Sequence, residues 1–190
     1  MRLGNGTVVV VMGDPFVHLR VASGYSLQYG ASHPAALVAA AADHDMDTLA
    51  LTDRDGLYGA VRFAKACLAA GIAPVIGVDL AFAPSPSVAA AHSEVARRRS
   101  PVRGGGLRDP RLPRAVLLAR SRAGWGALCR LVSEVHLSGD RGTPVATLEQ
   151  VSRYAADGGL SVLLGHDSEL GLAVATGRRD LAARVSQPAL

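Results

Sequence analysis

The sequence of 190 residues has only two cysteines, Cys67 and Cys129, which lie far apart and do not form a Cys-x-x-Cys pair. This scarcity excludes a disulfide framework and a cysteine-based zinc ribbon. Cys67 falls within a helical pattern of apolar residues, so we expect it to be a buried free thiol.

Long hydrophobic runs are also missing. Although 49% of the residues are hydrophobic, no apolar stretch approaches the roughly 20 residues that a membrane span requires. The valine-rich run at residues 8–12 is too short for the core of a signal peptide, and no small-residue cleavage site follows it. We therefore expect a cytoplasmic protein without a membrane partner.

Lysine is nearly absent, so arginine supplies almost all of the positive charge. Residues 81–130 carry ten basic and two acidic groups, whereas the segments on either side are each net negative. Most of these basic groups lie among glycines and prolines at residues 83–113, which predicts a flexible insertion. Its triple arginine, Arg97, Arg98 and Arg99, is a candidate nucleic-acid contact through phosphate neutralisation. Because no aromatic residues accompany these arginines, a solvated loop is the alternative.

Short apolar strand patterns alternate with amphipathic helical patterns along the chain. The predicted strands cover residues 17–21, 48–52, 73–79, 115–119 and 160–164, and the predicted helices cover residues 59–70, 124–137, 148–156 and 170–183. A further helix is expected to begin after Ser32 as the N-cap, with Pro34 in its first turn. Gly71 is placed to end the following helix. This alternation predicts a single-domain α/β fold with parallel strands and crossover helices.

Polar residues follow the predicted strands. They are His18 and Arg20, Asp53 and Arg54, Asp79, and His166. In barrels and open α/β sheets, active residues gather at the carboxyl ends of the strands. His18 and Arg20 are two residues apart, so on a strand both would point to the same face. A His-x-His pair at this place would chelate a metal, and a carboxylate such as Asp79 would add an oxygen ligand.

Several blocks of the chain resemble a known family. Residues 16–34 (FVHLRVASGYSLQYGASHP), 49–66 (LALTDRDGLYGAVRFAKA) and 71–80 (GIAPVIGVDL) resemble, in order and spacing, the first blocks of the PHP (polymerase and histidinol phosphatase) domain in bacterial DNA polymerase III α subunits. Weaker matches are residues 115–120, 124–131 and 159–165. The phrases GASHP and DGLYGAVRFA are most similar to the error-prone branch of these polymerases. The resemblance covers nearly the whole chain outside the insertion.

The resemblance implies a fold and a chemistry. The fold would be a distorted seven-stranded β/α barrel, and in some family members a cluster of zinc, manganese or magnesium catalyses phosphoester hydrolysis or proofreading. The last Asp-x-His pair of the family has no counterpart in residues 1–190, so one or two terminal β/α units of the barrel are expected to be missing. The polymerase palm, fingers and thumb would also lie outside this chain.

The chain departs from the ligand set of the family. His18 keeps the first histidine of the His-x-His pair, Asp79 replaces a glutamate, and His166 keeps the ligand position after the last predicted strand. Four further ligand positions are occupied by Arg20, Tyr29, Arg54 and Arg114. A guanidinium offers no lone pair to a metal and repels a divalent cation. The resemblance therefore implies a vestigial site of His18, Asp79 and His166, with no metal cofactor and no catalytic residue in this chain.

Three uses of the arginines are open. They could pair with Asp53, Asp55 and Asp79 and so replace a metal-bridged network by salt bridges. They could instead hold a phosphate, or residual metal chemistry could persist. We favour the structural pairing because three remaining ligands cannot sustain a trinuclear cluster.

The favoured hypothesis is the N-terminal PHP domain of a DNA polymerase III α-like protein, which acts in replication or error-prone repair. This stretch would be a scaffold, and nucleotidyl transfer would belong to the full-length polymerase. Its partners would be DNA, bound through the full-length polymerase, and other polymerase domains or replisome subunits. One alternative is a metal-dependent phosphoesterase or exonuclease of the same family. Another is a stand-alone interaction module from a truncated gene.

Overall fold

A computed structural model describes residues 16–85, 112–139 and 142–185. This part of the chain contains the strands β1 (Thr48–Arg54), β2 (Ala73–Ala81), β3 (Arg114–Ala119) and β4 (Leu160–Leu163). Its helices are α1 (Pro34–Asp43), α2 (Ala60–Ala70), α3 (Arg122–Ser138), α4 (Leu148–Ala155), α5 (Glu169–Ala175) and α6 (Arg179–Val185). The architecture is mixed α/β, as the sequence patterns predict.

The strands form one sheet in the order β1-β2-β3-β4. β1 and β2 pair in parallel and are joined by the crossover helix α2. β3 is antiparallel to both β2 and β4, so the prediction of parallel strands throughout is wrong. Parallel neighbours need a crossover connection, usually a helix. The sequence analysis predicts an insertion, not a crossover helix, between β2 and β3, so the alternation rule does not extend to that pair.

The predicted strand at residues 17–21 is instead an extended segment without regular strand pairing. It lies along the outer edge of β1, where the Ala50 N–H donates to the His18 carbonyl (3.0 Å) and the Thr52 N–H donates to the Val21 carbonyl (2.8 Å). Between these two hydrogen bonds the segment moves on by three residues, whereas β1 moves on by two. This mismatch is a bulge, which interrupts the regular backbone pairing. The Thr52 hydroxyl accepts from the Val21 N–H (2.9 Å) in place of a backbone carbonyl.

The helices bury one face of the sheet in two apolar clusters. Leu49 and Leu51 of β1 pack with Phe63 and Cys67 of α2 and with residues of α1. Phe63 and Cys67 are fully buried, which confirms the prediction of a buried thiol. Apolar residues of β2 and β3 form the second cluster against α3 and α4. Burying each large side chain in these clusters contributes about 1.5–3 kcal/mol. The opposite face of the sheet carries Asp79 and Arg114 together with apolar residues such as Val116.

Helix boundaries follow the sequence signals with two exceptions. α1 has His33 as its N-cap, so the prediction of Ser32 in this role is wrong. A residue that precedes proline is confined to extended backbone, which is the N-cap conformation. The helix predicted over residues 170–183 is two helices, α5 and α6, separated at Gly177, whose φ of 70° is left-handed. As predicted, Gly71 ends α2, with a φ of 72°.

Some predicted features lie outside the described residues. They are the valine-rich run at residues 8–12, most of the insertion at residues 83–113, and Arg97, Arg98 and Arg99 within it. Closure of the sheet into a seven-stranded barrel stays a prediction. In the described ranges, no helix is long and apolar enough to cross a membrane.

Candidate functional site

The candidate site lies on the sheet face opposite the helices, at the edge where β1 and β2 end. Residues that are paired across a sheet point to the same face, so the register of β1, β2 and β3 places Arg54, Asp79 and Arg114 on one side. Arg114 is the first residue of β3. Because β3 runs antiparallel, its beginning lies at the same edge as the ends of β1 and β2. A parallel β3 would have carried Arg114 to the opposite edge.

Asp79 stands between two guanidinium groups at the centre of this edge. The residue is buried, with 4% of its surface exposed. Arg114 donates through Nε to Asp79 Oδ1 (2.7 Å), and Arg20 donates through Nε and Nη2 to Asp79 Oδ2 (3.1 and 2.7 Å). Both carboxylate oxygens thus accept charge-assisted hydrogen bonds, which are roughly twice as strong as neutral ones.

Each of the two arginines also holds a second carboxylate. Arg114 Nη2 donates to Asp55 Oδ1 (2.8 Å). Arg20 donates to both oxygens of Asp167, through Nη1 at 2.9 Å and through Nη2. We call the set Asp55, Arg114, Asp79, Arg20 and Asp167 the ion-pair network. Since Arg20 lies beside β1 and Asp167 follows β4, the network connects the two ends of the described sheet.

The charges of the ion-pair network reinforce one another. The pKa of Arg20 is raised, chiefly by its hydrogen bond to Asp167 and against the effect of burial. Burial also acts to lower the pKa of Arg114, but the charges of Asp55 and Asp79 outweigh burial, and the pKa is raised. Burial acts to raise the pKa of Asp167, whereas the hydrogen bond and charge of Arg20 bring it below its ordinary value. The two arginines and Asp167 are therefore charged at neutral pH.

Asp53 is held by neutral donors, unlike Asp79. It is 2% exposed and accepts from the Ser23 N–H and the Ser26 hydroxyl, both at 2.7 Å from Oδ1. The Ser23 hydroxyl lies within hydrogen-bond distance of both carboxylate oxygens, at 3.0 and 2.9 Å. The pairing expected between arginines and aspartates is therefore present at Asp55 and Asp79, whereas serines surround Asp53.

Tyr29 and Arg54, two of the substituted ligand positions, contact each other. The guanidinium carbon of Arg54 lies 3.6 Å from the centroid of the Tyr29 ring, which is within the range of a cation–π contact. The four substituted positions therefore form two groups. Arg20 and Arg114 bracket Asp79, and Arg54 stacks on Tyr29.

The residues predicted as vestigial metal ligands are not brought together. Among the described residues, no group of three or more His, Cys, Asp or Glu side chains is arranged to hold a metal ion. The His18 ring lies edge-on to Phe16, with centroids 4.7 Å apart, and lines a cavity against α1. Because the bulge beside β1 breaks the two-residue period, His18 and Arg20 do not share a face, contrary to the prediction. With both oxygens of Asp79 bound by guanidinium groups, this donor set does not fit a divalent cation.

Two residues of this edge were not placed there by the sequence analysis. Asp167 directly follows His166, so a search for acidic residues after the last predicted strand would have found it. His136, in the last turn of α3, contacts the Asp55 carbonyl through Nε2 at 2.5 Å. Helix α3 is distant from β1 in the sequence, and no pattern connects the two.

Comparisons with known proteins identify the family of this chain. A family model described as PHP domain matches residues 18–189. The chain is 36% identical over 172 residues to the error-prone DNA polymerase of Mycolicibacterium paratuberculosis, a match that covers 90% of this chain and 14% of that protein. It is 34% identical over 154 residues to the error-prone DNA polymerase of Cutibacterium acnes, with 80% and 12% covered. The chain therefore spans only a small part of the length of these relatives.

A solved structure is also similar to the chain. It is an amidohydrolase from Chromobacterium violaceum with bound sulfate and no metal. The identity is 19% and the TM-score 0.42, over 75% of this chain and 50% of that one.

Proposed function

The chain belongs to the PHP domain family, and from this premise we propose that it is a scaffolding PHP domain of an error-prone-type DNA polymerase. In this proposal the ion-pair network takes the structural place that a metal cluster holds in other family members. DNA would be a partner of the full-length polymerase, and other polymerase domains or replisome subunits would contact this domain. Nucleotidyl transfer would be carried out by domains outside this chain.

The single observation that supports the scaffold proposal is the position of Asp79. A metal ion at this edge would need the oxygens of Asp79, and these accept from Arg20 and Arg114. Two guanidinium groups in contact with one carboxylate would also repel a divalent cation. The ion-pair network holds β1, β2, β3 and the residue after β4 together through side chains of the protein alone. It therefore supports a domain whose role is to stay folded rather than to turn over a substrate.

The alternative of a metal-dependent phosphoesterase requires His18, Asp79 and His166 to act together. No observation in the described ranges favours that grouping. We therefore do not propose a hydrolytic reaction for this site.

Metal content and thermal stability test the scaffold proposal. The purified 190-residue chain is dialysed against zinc or manganese, washed, and analysed by inductively coupled plasma mass spectrometry. We expect no stoichiometric metal, and we expect the unfolding temperature to be the same with added metal and with EDTA, because only a ligand that binds the folded state raises it. Stoichiometric metal that is lost in His18→Ala and Asp79→Ala variants would overturn the proposal.

The polymerase assignment has a separate test. The nucleotide sequence that follows codon 190 is read in the same frame. We expect a continuous reading frame that encodes the carboxylates of a polymerase palm, as two-metal nucleotidyl transfer requires. A stop codon at this position in the genome would refute the assignment and would favour a stand-alone interaction module.

A further inference from the structure

We propose that the outer face of helix α2 is a docking surface for an acidic amphipathic helix of a partner protein. The surface consists of Tyr58, Val61, Lys65 and Leu68, and we call these four residues the α2 stripe. The inference deepens the scaffold proposal, on which it rests, by naming the chemistry of one partner. Helix α2 covers the sheet face opposite the ion-pair network.

Helix α2 is apolar on its outer side as well as on its inner side. Phe63 and Cys67 point inward and are fully buried against β1 and α1. Val61 and Leu68 belong to the same helix but are 63% and 74% exposed, and Tyr58, in the turn before the helix, is 66% exposed. The described part of the chain therefore leaves three large apolar side chains of this element uncovered.

The residues of the α2 stripe lie on one line. They follow one another at steps of three, four and three residues, the spacing at which side chains lie one above another on a helix. It is also the a/d spacing with which two helices pack along each other. Single exposed apolar residues are common and need no partner. A continuous line of them, in contrast, provides a surface for a second helix.

The end of the α2 stripe at Tyr58 is held in place. The ring packs so closely over Gly56 that a Cβ atom on Gly56 would lie 2.2 Å from Tyr58 Cε2. The Ala60 N–H donates to the Leu57 carbonyl (3.1 Å), which closes the turn that carries the ring. This turn therefore has little conformational freedom left to lose on binding.

The charges of α2 favour an acidic partner. The helix carries Arg62 and Lys65, both exposed, and it contains no acidic residue. Lys65 forms no ion pair with any described carboxylate. Arg62 donates to the Tyr25 hydroxyl (2.5 Å), a neutral group that leaves its charge uncompensated. A partner helix that covers Val61 and Leu68 must place a carboxylate beside Lys65, because a buried ammonium without a counter-charge opposes association.

A second copy of this chain does not meet that requirement. Pairing two α2 helices so that Val61 of each packs on Leu68 of the other brings the two Lys65 side chains together. A parallel pairing in register does the same. Like charges in contact oppose association, so the partner has to differ from this chain.

Two designed peptides test the proposal on the 190-residue chain by fluorescence anisotropy. Each labelled peptide is about three heptads long and has leucine at positions a and d. One peptide carries glutamate at the flanking e and g positions, and the other carries lysine there. We expect the acidic peptide to bind and the basic peptide to bind at least about tenfold more weakly, because its charge repels Arg62 and Lys65.

The apolar part of the α2 stripe is tested by Leu68→Ala. We expect this variant to bind the acidic peptide about tenfold more weakly, because a large apolar contact is lost. Leu137→Ala is the matched control, since Leu137 lies on α3 and is 85% exposed. The control should bind like the unmodified chain.

The charged part of the α2 stripe is tested by Lys65→Glu. We expect this variant to bind the acidic peptide more weakly and the basic peptide more tightly than the unmodified chain does, whereas Lys65→Arg should keep the original preference. Arg122→Glu makes the same change in net charge at an exposed position on α3, and it should leave the preference unchanged. Urea unfolding checks that each variant is folded.

The proposal would be overturned if the acidic peptide did not bind, or if the two peptides bound equally. Equal affinities of Leu68→Ala and Leu137→Ala would also overturn it. A dimer of the unmodified chain in sedimentation velocity that dissociates in Leu68→Ala would assign the α2 stripe to a second copy instead. None of these outcomes bears on metal content, so failure here and failure of the scaffold proposal are distinguishable.

Discussion

Asp53 and Asp79 lie one register step apart near the ends of two neighbouring parallel strands, on opposite faces of the sheet, and both are almost fully buried. They are stabilised in different ways. Asp53 accepts from a backbone N–H and two hydroxyls of a turn 27 to 30 residues away in the chain. Asp79 accepts from guanidinium groups that lie 35 and 59 residues away. Asp53 therefore fixes the conformation of a single turn, whereas Asp79 connects two separate parts of the chain.

The contrast shows two ways in which a buried charge can be kept. Neutral donors compensate an isolated carboxylate by solvating it, as water would. Guanidinium groups compensate it by opposite charge, but they must themselves be buried and satisfied, which costs desolvation. At Asp79 that demand is met because Asp55 and Asp167 hold the outer sides of Arg114 and Arg20. Stabilising Asp79 by charge therefore requires further carboxylates to pair with the arginines. Asp53, in contrast, finds its side-chain hydrogen-bond donors within one turn.

The largest effect is expected for Asp79→Asn. The variant keeps the shape of the side chain but removes the charge between Arg20 and Arg114, and its amide NH2 group faces donors. We expect a loss of about 3–5 kcal/mol in the free energy of unfolding, the range for breaking a buried ion pair from one side. Urea titration followed by circular dichroism measures it. A loss below that of Asp53→Asn would break the distinction between the two carboxylates.

An apolar replacement of the whole centre sharpens this result. The combined variant Asp79→Leu, Arg20→Met, Arg114→Met leaves no buried charge without a partner among these three positions. Because apolar replacements of buried ion pairs are often neutral or stabilising, we expect the combined variant to be more stable than Asp79→Asn alone. A combined variant less stable than Asp79→Asn would mean that the arginines contribute through packing or through Asp55 and Asp167 instead.

The sequence patterns predicted the parts of the site that depend on local order. The apolar strands that end in Asp53 and Asp79, and the crossover helix between them, follow from a single β-α-β unit. The antiparallel direction of β3 does not, because β2 and β3 are joined by the long predicted insertion at residues 83–113, whose composition does not specify the direction of the following strand. The predicted pairing of arginines with Asp79 was correct for Arg20 and Arg114. The bulge at residues 18–21 separates His18 from Arg20, and it depends on tertiary hydrogen bonds to β1 that no sequence period records.

A smaller effect is expected for Asp53→Asn. The amide oxygen of asparagine can still accept from the Ser23 N–H and the Ser26 hydroxyl, and its NH2 group can donate to the Ser23 hydroxyl. We expect a loss of about 1–2 kcal/mol in the free energy of unfolding, typical of a weakened hydrogen-bond set. The same urea titration measures it, with Ser23→Ala as a companion variant that removes a donor instead. A loss as large as that of Asp79→Asn would show that the charge of Asp53 matters in its own right.

The pH dependence of stability tests the outer end of the ion-pair network. The pKa of Asp167 in the folded protein lies below its ordinary value of 3.8, since the hydrogen bond and charge of Arg20 outweigh burial. A depressed pKa contributes stability above the ordinary pKa, and this contribution is lost as the pH falls through the folded pKa. Asp167→Asn should therefore be less stable than the unmodified chain at neutral pH, and the difference should shrink at acidic pH. Unfolding temperatures between about pH 6 and pH 2 measure the difference. A difference that is constant over this range would exclude the ion pair as its source.

The smallest effect is expected at an arginine–carboxylate pair on the surface, because this pair is not buried as the centre of the ion-pair network is. Arg153, on α4, donates to Glu134 at 3.2 Å, and its side chain is 55% exposed. Glu134 also accepts from the Tyr154 hydroxyl and from Gln150, so it keeps partners when the arginine is removed. Solvent screens such a pair, and we expect the urea midpoint of Arg153→Gln to equal that of the unmodified chain. Arg114→Gln provides the matched substitution inside the network. Equal losses in the two variants would mean that burial and shared carboxylates add nothing to an arginine pair in this fold.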